Sequence, residues 1–435
     1  MPDAKQPALG DHLIRYTSES FPEIIVRAKG SWVWDENGKA ILDFTSGQMC
    51  STLGHNHPAI VDAVKKSADT AIHLFSGMIP DTVVELAKEM AVILPPPLSK
   101  SMFVNTGGEA NEAALKIAKF ATGGYETVAL GGSWHGAGGG GAAVSMASDR
   151  KGHGPTMPGV YAIPEPNAYR CPVDHCRDSC DLTCMKIGFR MLDMQWAGAP
   201  AAVIAEPILS AGGVIVPPDG YFKALRQECD ARGLMLIFDE AQTAFGRIGE
   251  WFAADGLGVT PDIMAVSKTL GGGIPLAATI TSDAIEEKAF ESGFSHYTSH
   301  VSDPLPAAVG VAVLQTLKSE NLIERAKEMG VYLRGRMLDL QQKYEVIGEV
   351  RGQGLLLGVE LVEDREGRVP HHKLGAKTTE RCLELGLSMN IRRRPERGSV
   401  WRIAPPLTVT TEEIDTATAI LDQALGESLD ALARA

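Results

Sequence analysis

Four short strings carry side chains that could do chemistry together. The first is SKTLGGG at 267–273, in which Lys268 follows the apolar run Ile263–Val266 and precedes a glycine-rich turn. A lone lysine is ordinarily a solvated surface charge. This one is expected at the carboxyl end of a buried strand, where α/β sheets place their ligands. A partly desolvated lysine has a lowered pKa and can form an imine with a carbonyl compound. The second string is LMLIFDEAQTAFGR at 234–247, where Asp239 ends another apolar run. A carboxylate buried there is costly without a cationic partner; taken alone, it reads as a helix cap. The third is FVNTGGEANEAAL at 103–115, with Thr106, Gly107 and Gly108 ahead of a helix. Backbone N–H groups at a helix start bind phosphate, and glycines allow close approach. The fourth is SWHG at 133–136, where Trp134 and His135 follow a strand. An aromatic at a strand end either stacks on a flat ring or packs in the core.

The elements that must position these groups are legible as a pattern. Short apolar runs at Glu126–Leu130, Ala201–Ala205, Leu234–Phe238, Ile263–Val266 and Leu276–Thr281 alternate with longer helical patterns. Runs of this kind are strands buried on both faces, and their alternation with helices gives a mostly parallel α/β sheet. A helix is expected over Glu109–Ala121, closed by Gly123. Thr410 and Glu413 form a capping-box pattern before a helical face of Ile414, Ala417, Leu421, Ala424, Leu425 and Leu429. Residues 22–45 read as a small β-meander around an Asp-Glu-Asn-Gly turn, and 345–408 mix strands with a helix. The expected organisation is a large α/β domain over 61–315 and a smaller α+β domain built from 1–60 and 316–435.

Bulk properties exclude some classes. A length of 435 residues suits two or three domains packed together. The formal net charge of -13 gives no general basic footprint for nucleic acid and no attraction to anionic membranes. No apolar run approaches a bilayer span, and the N-terminus lacks the layout of a signal peptide, so a cytoplasmic protein is expected. Cys50, Cys229 and Cys382 read as small core residues. Cys171, Cys176, Cys180 and Cys184, with His175 among them, suit either a structural metal or the thiols of a surface insertion.

In combination the strings are far more specific than apart. Phosphate loop, aromatic, strand-end Asp and strand-end Lys follow in an order that resembles the class III aminotransferase family of fold-type I pyridoxal 5′-phosphate (PLP) enzymes. FDEAQTAFGR and SKTLGGGIPLAA carry the likeness, which runs from about Arg15 to the final helix. The resemblance implies that Lys268 holds the cofactor covalently and then moves protons. It implies that Asp239 pairs with the pyridinium nitrogen, which makes PLP an electron sink. Gln242 would reach the phenolic oxygen, Trp134 would stack on the ring beside His135, and Thr106, Gly107 and Gly108 would hold the phosphate. Ser299, in HYTSHVSDPLP, would complete the phosphate site from a neighbouring subunit, implying a homodimer or a dimer of dimers. Glu206, in IAEPIL, matches a structural or gating carboxylate. Small amino acids and 2-oxo acids are the implied substrates.

Which bond breaks depends on how the substrate carboxylate is anchored. Arg402, in VWRIAPPLT, offers a guanidinium fork among apolar neighbours. Gln48, in LDFTSGQM, offers a neutral amide. Within the family, LDFTSGQM, HLFSGM, YTSHVSDPLPAAVG and RIAPPLTV are similar to the 2,2-dialkylglycine decarboxylase branch. That branch decarboxylates a disubstituted glycine and passes the amino group to pyruvate. Gln48 would then bind the carboxylate to be lost and Arg402 the one retained. The same likeness implies an alkali-metal cation, potassium or sodium, at Leu74, Ser76, Ser299, Val301 and Asp303, whose oxygens suit a hard ion. Two features depart from that branch: the cysteine cluster, and the run Arg392, Arg393 and Arg394 after Asn390. The arginines are either a second acid anchor or a solvated charge run, since three adjacent strand residues cannot all face one way. Competing readings are an ω-amino acid or amine:pyruvate aminotransferase without decarboxylation, and a PLP-dependent lyase.

Overall fold

The computed structural model describes residues 12–14, 23–147, 154–177, 179–394 and 398–434. An antiparallel meander comes first: β1 (Ile25–Lys29), β2 (Trp32–Asp35) and β3 (Ala40–Asp43). Asp35 closes its turn by accepting from the N–H groups of Asn37 and Lys39, as Asp commonly does two residues back from a turn.

The central sheet follows. Its strands are β4 (Leu98–Val104), β5 (Glu126–Leu130), β6 (Val160–Ile163), β7 (Pro200–Ala205), β8 (Met235–Asp239), β9 (Ile263–Val266) and β10 (Ala277–Ser282). They lie in the order β4-β10-β9-β8-β7-β5-β6. β5 to β9 run parallel, and β10 is antiparallel to both of its neighbours. The apolar runs of the sequence are these strands, and β5, β9 and β10 are buried over their whole length. Six of the seven strands share one direction, so their carboxyl ends meet at one edge, and five of those ends carry candidate groups. Those groups are Thr106, Trp134, Glu206, Asp239 and Lys268.

The helix after β4 spans Gly107–Thr122, two residues earlier than its apolar pattern suggests. Thr106 is its N-cap: its hydroxyl accepts from Glu109 N, and the Glu109 carboxylate accepts from Thr106 N. This reciprocal cap lets two glycines occupy the first turn.

A third sheet holds β11 (Ile347–Gln353), β12 (Leu356–Leu361), β14 (Asn390–Arg394) and β15 (Gly398–Ile403), ordered β11-β12-β15-β14 and antiparallel throughout. Between them β13 (Leu387–Ser388) leaves to pair with β3, adding a fourth strand to the N-terminal meander. The capping box at Thr410 and Glu413 opens the last helix, Thr411–Ala433. Among the described residues, no helix is long and apolar enough to cross a membrane.

A buried ion network fastens this third sheet to the loop after β7. Arg351, on β11, donates to Glu360 and Glu349 and to the carbonyls of Gly213 and Val214. Arg170 donates to the same Glu360. Gly358, across β12 from Arg351 and Arg402, makes the approach possible, since a Cβ there would meet Val214 Cβ at 2.8 Å. Arg351→Met strands the fully buried Glu360 carboxylate with one partner fewer. Breaking a buried pair on one side costs about 3–5 kcal/mol. Chemical denaturation of this variant is expected to show a loss of that size; a loss below about 1 kcal/mol contradicts the fastening role.

Candidate active site

Asp239 is the last residue of β8, 4% exposed, and every described partner of its carboxylate is a donor. Asn111 Nδ2 lies 2.7 Å and His135 Nδ1 2.8 Å from Oδ2, while Ala241 N reaches Oδ1 at 3.1 Å. Burial works to raise this carboxyl's pKa. The His135 hydrogen bond and charge, together with the Lys268 ammonium, prevail and hold it below the usual range. The group is therefore a permanent buried anion with unused acceptor capacity. Asn111 also donates to His135 O at 3.0 Å, locking the histidine to the helix Gly107–Thr122.

Lys268 lies on the neighbouring strand's exit, two residues beyond β9. It has φ +49°, a left-handed backbone that a lysine rarely adopts, and opens the short 3₁₀ turn Lys268–Gly271. Burial lowers its proton affinity, opposed by the charge of Asp239. Gly107 packs against this exit: a Cβ there would meet Ser267 Oγ at 2.8 Å. The helix start, with the free N–H groups of its first turn, is thus held beside the lysine. Trp134 is 37% exposed, and its backbone N–H donates to Glu206 Oε1 at 2.8 Å. Burial pushes the Glu206 carboxyl up to about 7, although Ser210 N also donates to it.

The N-terminal segment closes on this edge. Asp43 accepts from Thr45 N, Gly47 N and His55 Nε2, and these bonds shape the turn that carries Gln48. Thr52 Oγ1 lies 3.0 Å from Thr269 Oγ1, fixing that turn next to Lys268. Gln48 itself is exposed, on a kink in the turn. Arg402, on β15, is 4% exposed; its Nη1 donates to Gln242 Oε1 at 3.0 Å and to Ser210 Oγ at 3.4 Å. It bridges the third sheet and the central one.

The predicted groups thus fall into two sets. Thr106, Gly107, Gly108, Trp134, His135, Glu206, Asp239, Gln242, Lys268 and Arg402 gather at one sheet edge, with the Gln48 turn beside them. Ser299 is exposed on the loop before the helix Pro304–Ser319, and Leu74, Ser76 and Val301 are half-buried. Both carboxylate oxygens of Asp303 are hydrogen-bonded to imidazoles, His73 and His300. Arg392 shares a sheet face with Arg402, because Asn390 pairs with Arg402 and Arg392 with Val400. The side chains of Arg393 and Arg394 lie outside the described residues, as does Arg15. Cys229 and Cys382 are core residues as expected, but Cys50 is half-buried and feels the charges of Lys268 and Arg247. Its place on the Gln48 turn, which the apolar pattern cannot reveal, is the reason.

Three participants escaped the sequence reading. Asn111 is a buried amide on an otherwise alanine-rich helix face, a signal that was available. Ser210 had no such mark. Arg247, fully buried, donates to the carbonyls of Leu355 and Pro405 and has its pKa lowered by burial to about 10. It closes the FDEAQTAFGR string, but its residue type alone does not reveal that it is buried.

Taken together, a buried anion, a lysine of lowered proton affinity, a glycine helix start and a half-open indole suit one kind of guest. It is a flat cofactor with a protonated ring nitrogen, a carbonyl and a phosphate. Comparison with known proteins agrees. A family model described as aminotransferase class-III matches residues 14–425. An uncharacterized aminotransferase of Schizosaccharomyces pombe is 49% identical over 414 residues, covering 95% of this chain and 92% of its own. A leucine/methionine racemase of Thermococcus litoralis is 33% identical over 410 residues, covering 93% and 91%. A solved (S)-enantioselective omega-transaminase from Thermomicrobium roseum superposes with a TM-score of 0.87 at 30% identity, covering 96% of each chain. The chain belongs to the class III aminotransferase family.

Proposed function

We propose that this chain is a PLP-dependent aminotransferase that moves an amino group from a carboxylate-bearing amine to a 2-oxo acid such as pyruvate. The observation that carries this reading is Arg402, a buried guanidinium tied through Gln242 to the edge that holds Asp239 and Lys268. A buried arginine in such a place offers bidentate recognition of a carboxylate.

PLP, when bound, supplies an electron sink for the charge left on a substrate carbon as a bond to it breaks. The chain's residues do the rest. Asp239, kept ionised, stabilises a proton on the ring nitrogen. The Gly107 and Gly108 N–H groups and the Thr106 hydroxyl would hold the phosphate, and Trp134 would pack against the ring. Lys268 Nζ takes up and returns the proton of the substrate carbon, a role suited to its lowered pKa. Arg402 orients the carboxylate and so selects the bond that is weakened. The 2,2-dialkylglycine decarboxylating variant rests on Gln48, whose turn is fixed beside Lys268 by the Thr52–Thr269 bond. A homodimer in which Ser299 reaches the partner's phosphate is supported by the exposed apolar side chains of Phe75, Met78, Ile79 and Tyr297 around that region.

The test supplies PLP-loaded enzyme with a single-enantiomer amino acid, with and without pyruvate. With pyruvate, matching amounts of alanine and 2-oxo acid are expected to accumulate over many turnovers; without it, at most one equivalent of 2-oxo acid per enzyme is expected, and neither product forms with Lys268→Ala. Loss of optical activity without an acceptor would instead make the chain a racemase. Carbon dioxide from 2-aminoisobutyrate supports the decarboxylating variant; its absence assigns plain amino transfer. Arg402→Lys, which loses the fork, is expected to raise KM for α-amino acids by about 10–100-fold. Amines without a carboxylate should keep their kcat/KM. Equal losses for both substrate types would remove Arg402 as the anchor.

Glu206 sets a pH dependence of stability. An ordinary glutamate has a pKa of 4.5, and burial raises this one to about 7. Between those values the folded protein keeps a proton that the unfolded chain has lost. Stability therefore falls as pH rises from about 4.5 and levels off above about 7. Buried Glu240, raised to about 7 as well, adds a slope of the same sign. In urea titrations of cofactor-free protein, Glu206→Gln should flatten the slope partly; an unchanged slope contradicts the assignment.

A further inference from the structure

Asp303 stands at the N-cap of the helix Pro304–Ser319 but makes no capping bond with its side chain. An Asp there ordinarily accepts from the first-turn N–H groups. Its two oxygens turn away from the helix, toward two imidazoles. His73 Nδ1 lies 2.6 Å from Oδ1, and His300 Nδ1 lies 2.6 Å from Oδ2. The rings are 4.8 Å apart and tilted by 54°. The Asp303 side chain is 6% exposed, while those of His73 and His300 are 48% and 58% exposed. The carboxylate is therefore the floor of a small recess and the imidazoles are its open walls.

We propose that His73, His300 and Asp303 bind one divalent transition-metal ion of the zinc, cobalt or nickel class, and that this place does not serve an alkali cation. One ligand atom from each of the three residues can be chosen with all of them within 4.8 Å of one another. That is compatible, after small shifts, with metal–ligand bonds of about 2.0–2.2 Å. Each His–Asp contact is held by a proton on Nδ1; in a neutral imidazole that proton moves to Nε2 when Nδ1 takes up the metal, and the dication answers the carboxylate's charge. Two nitrogen donors favour borderline metals, whereas alkali, magnesium and calcium ions favour oxygen throughout. Three protein ligands leave a further position for water or a small anion. The pocket is also supported from behind. Ser302 N donates to Phe103 O of β4 at 3.0 Å, and Val301 packs against Val104, Ala110, Ala265 and Ala277. A bound ion would thus pin the 72–76 segment to a loop already fixed on the central sheet, close to Ser299.

The inference does not depend on which reaction the enzyme performs, and its test is binding. PLP-loaded enzyme, freed of metal by a chelator, is titrated calorimetrically with zinc and with potassium. Cobalt(II) absorption then reports the donor type. Zinc also has affinity for thiolates, so the cysteine group at Cys176 and Cys180 needs a control. The expected result is a zinc site that survives Cys176→Ser/Cys180→Ser and a cobalt spectrum without thiolate charge transfer. His73→Gln/His300→Gln, surface changes that keep polarity, should weaken zinc binding by more than about tenfold. Excess potassium should not displace the zinc. Zinc binding unaffected by the histidine changes, lost in the cysteine variant, or displaced by potassium overturns the proposal, as does no zinc binding.

Discussion

One buried negative charge governs the active edge of this molecule. Asp239 sits where an isolated carboxylate would neutralise itself, and burial alone would drive it that way. It stays ionised because three different elements send it donors: Asn111 from the helix after β4, His135 from the segment after β5, and Ala241 from its own turn. The neighbouring strand exit adds the charge of Lys268. Lysine and aspartate perturb each other in opposite senses, which is a common mark of a functional pair. The parallel strand order matters because it is what places β5, β7, β8 and β9 side by side with their carboxyl ends together.

The second dependence is between sheets. Arg402, on β15, meets Gln242 only if the third sheet keeps its distance from β8 and β9. Arg351 and Glu360 hold that distance through the carbonyls of the loop after β7, and Gly358 leaves room for the loop to approach. Ser210, in the same loop, touches Arg402 and also donates to Glu206. The loop therefore joins Arg402, the group with a pKa near neutrality and the structural clasp. A protein named as a racemase and one named as an aminotransferase are both similar to this chain over most of its length, so such local arrangements, and not the fold, decide the reaction.

Much of this was legible in the sequence, for physical reasons. Strands buried on both faces must be apolar throughout, so β5, β7, β8, β9 and β10 announced themselves, and with them the groups at their ends. The capping pairs Thr106–Glu109 and Thr410–Glu413 are local chemistry, and the second was read directly. What sequence order could not supply was contact across long separations. Asn111 meets Asp239 across 128 positions and Arg402 meets Gln242 across 160. β13 is only two residues long and joins β3 from the far end of the chain. Asp303 meets His73 in the same way, across 230 positions.

The central claim is that a permanently ionised Asp239 drives the chemistry of the bound cofactor. The most direct measurement compares PLP-loaded wild type with Asp239→Asn in a single turnover, following the first equivalent of 2-oxo acid released from an amino acid donor. Asparagine keeps the size and can still accept hydrogen bonds but removes the charge. The account predicts that the variant retains PLP while release slows by at least about 100-fold, the scale expected when a preorganised electrostatic group is lost. Release at the wild-type rate from a fully loaded variant would contradict it.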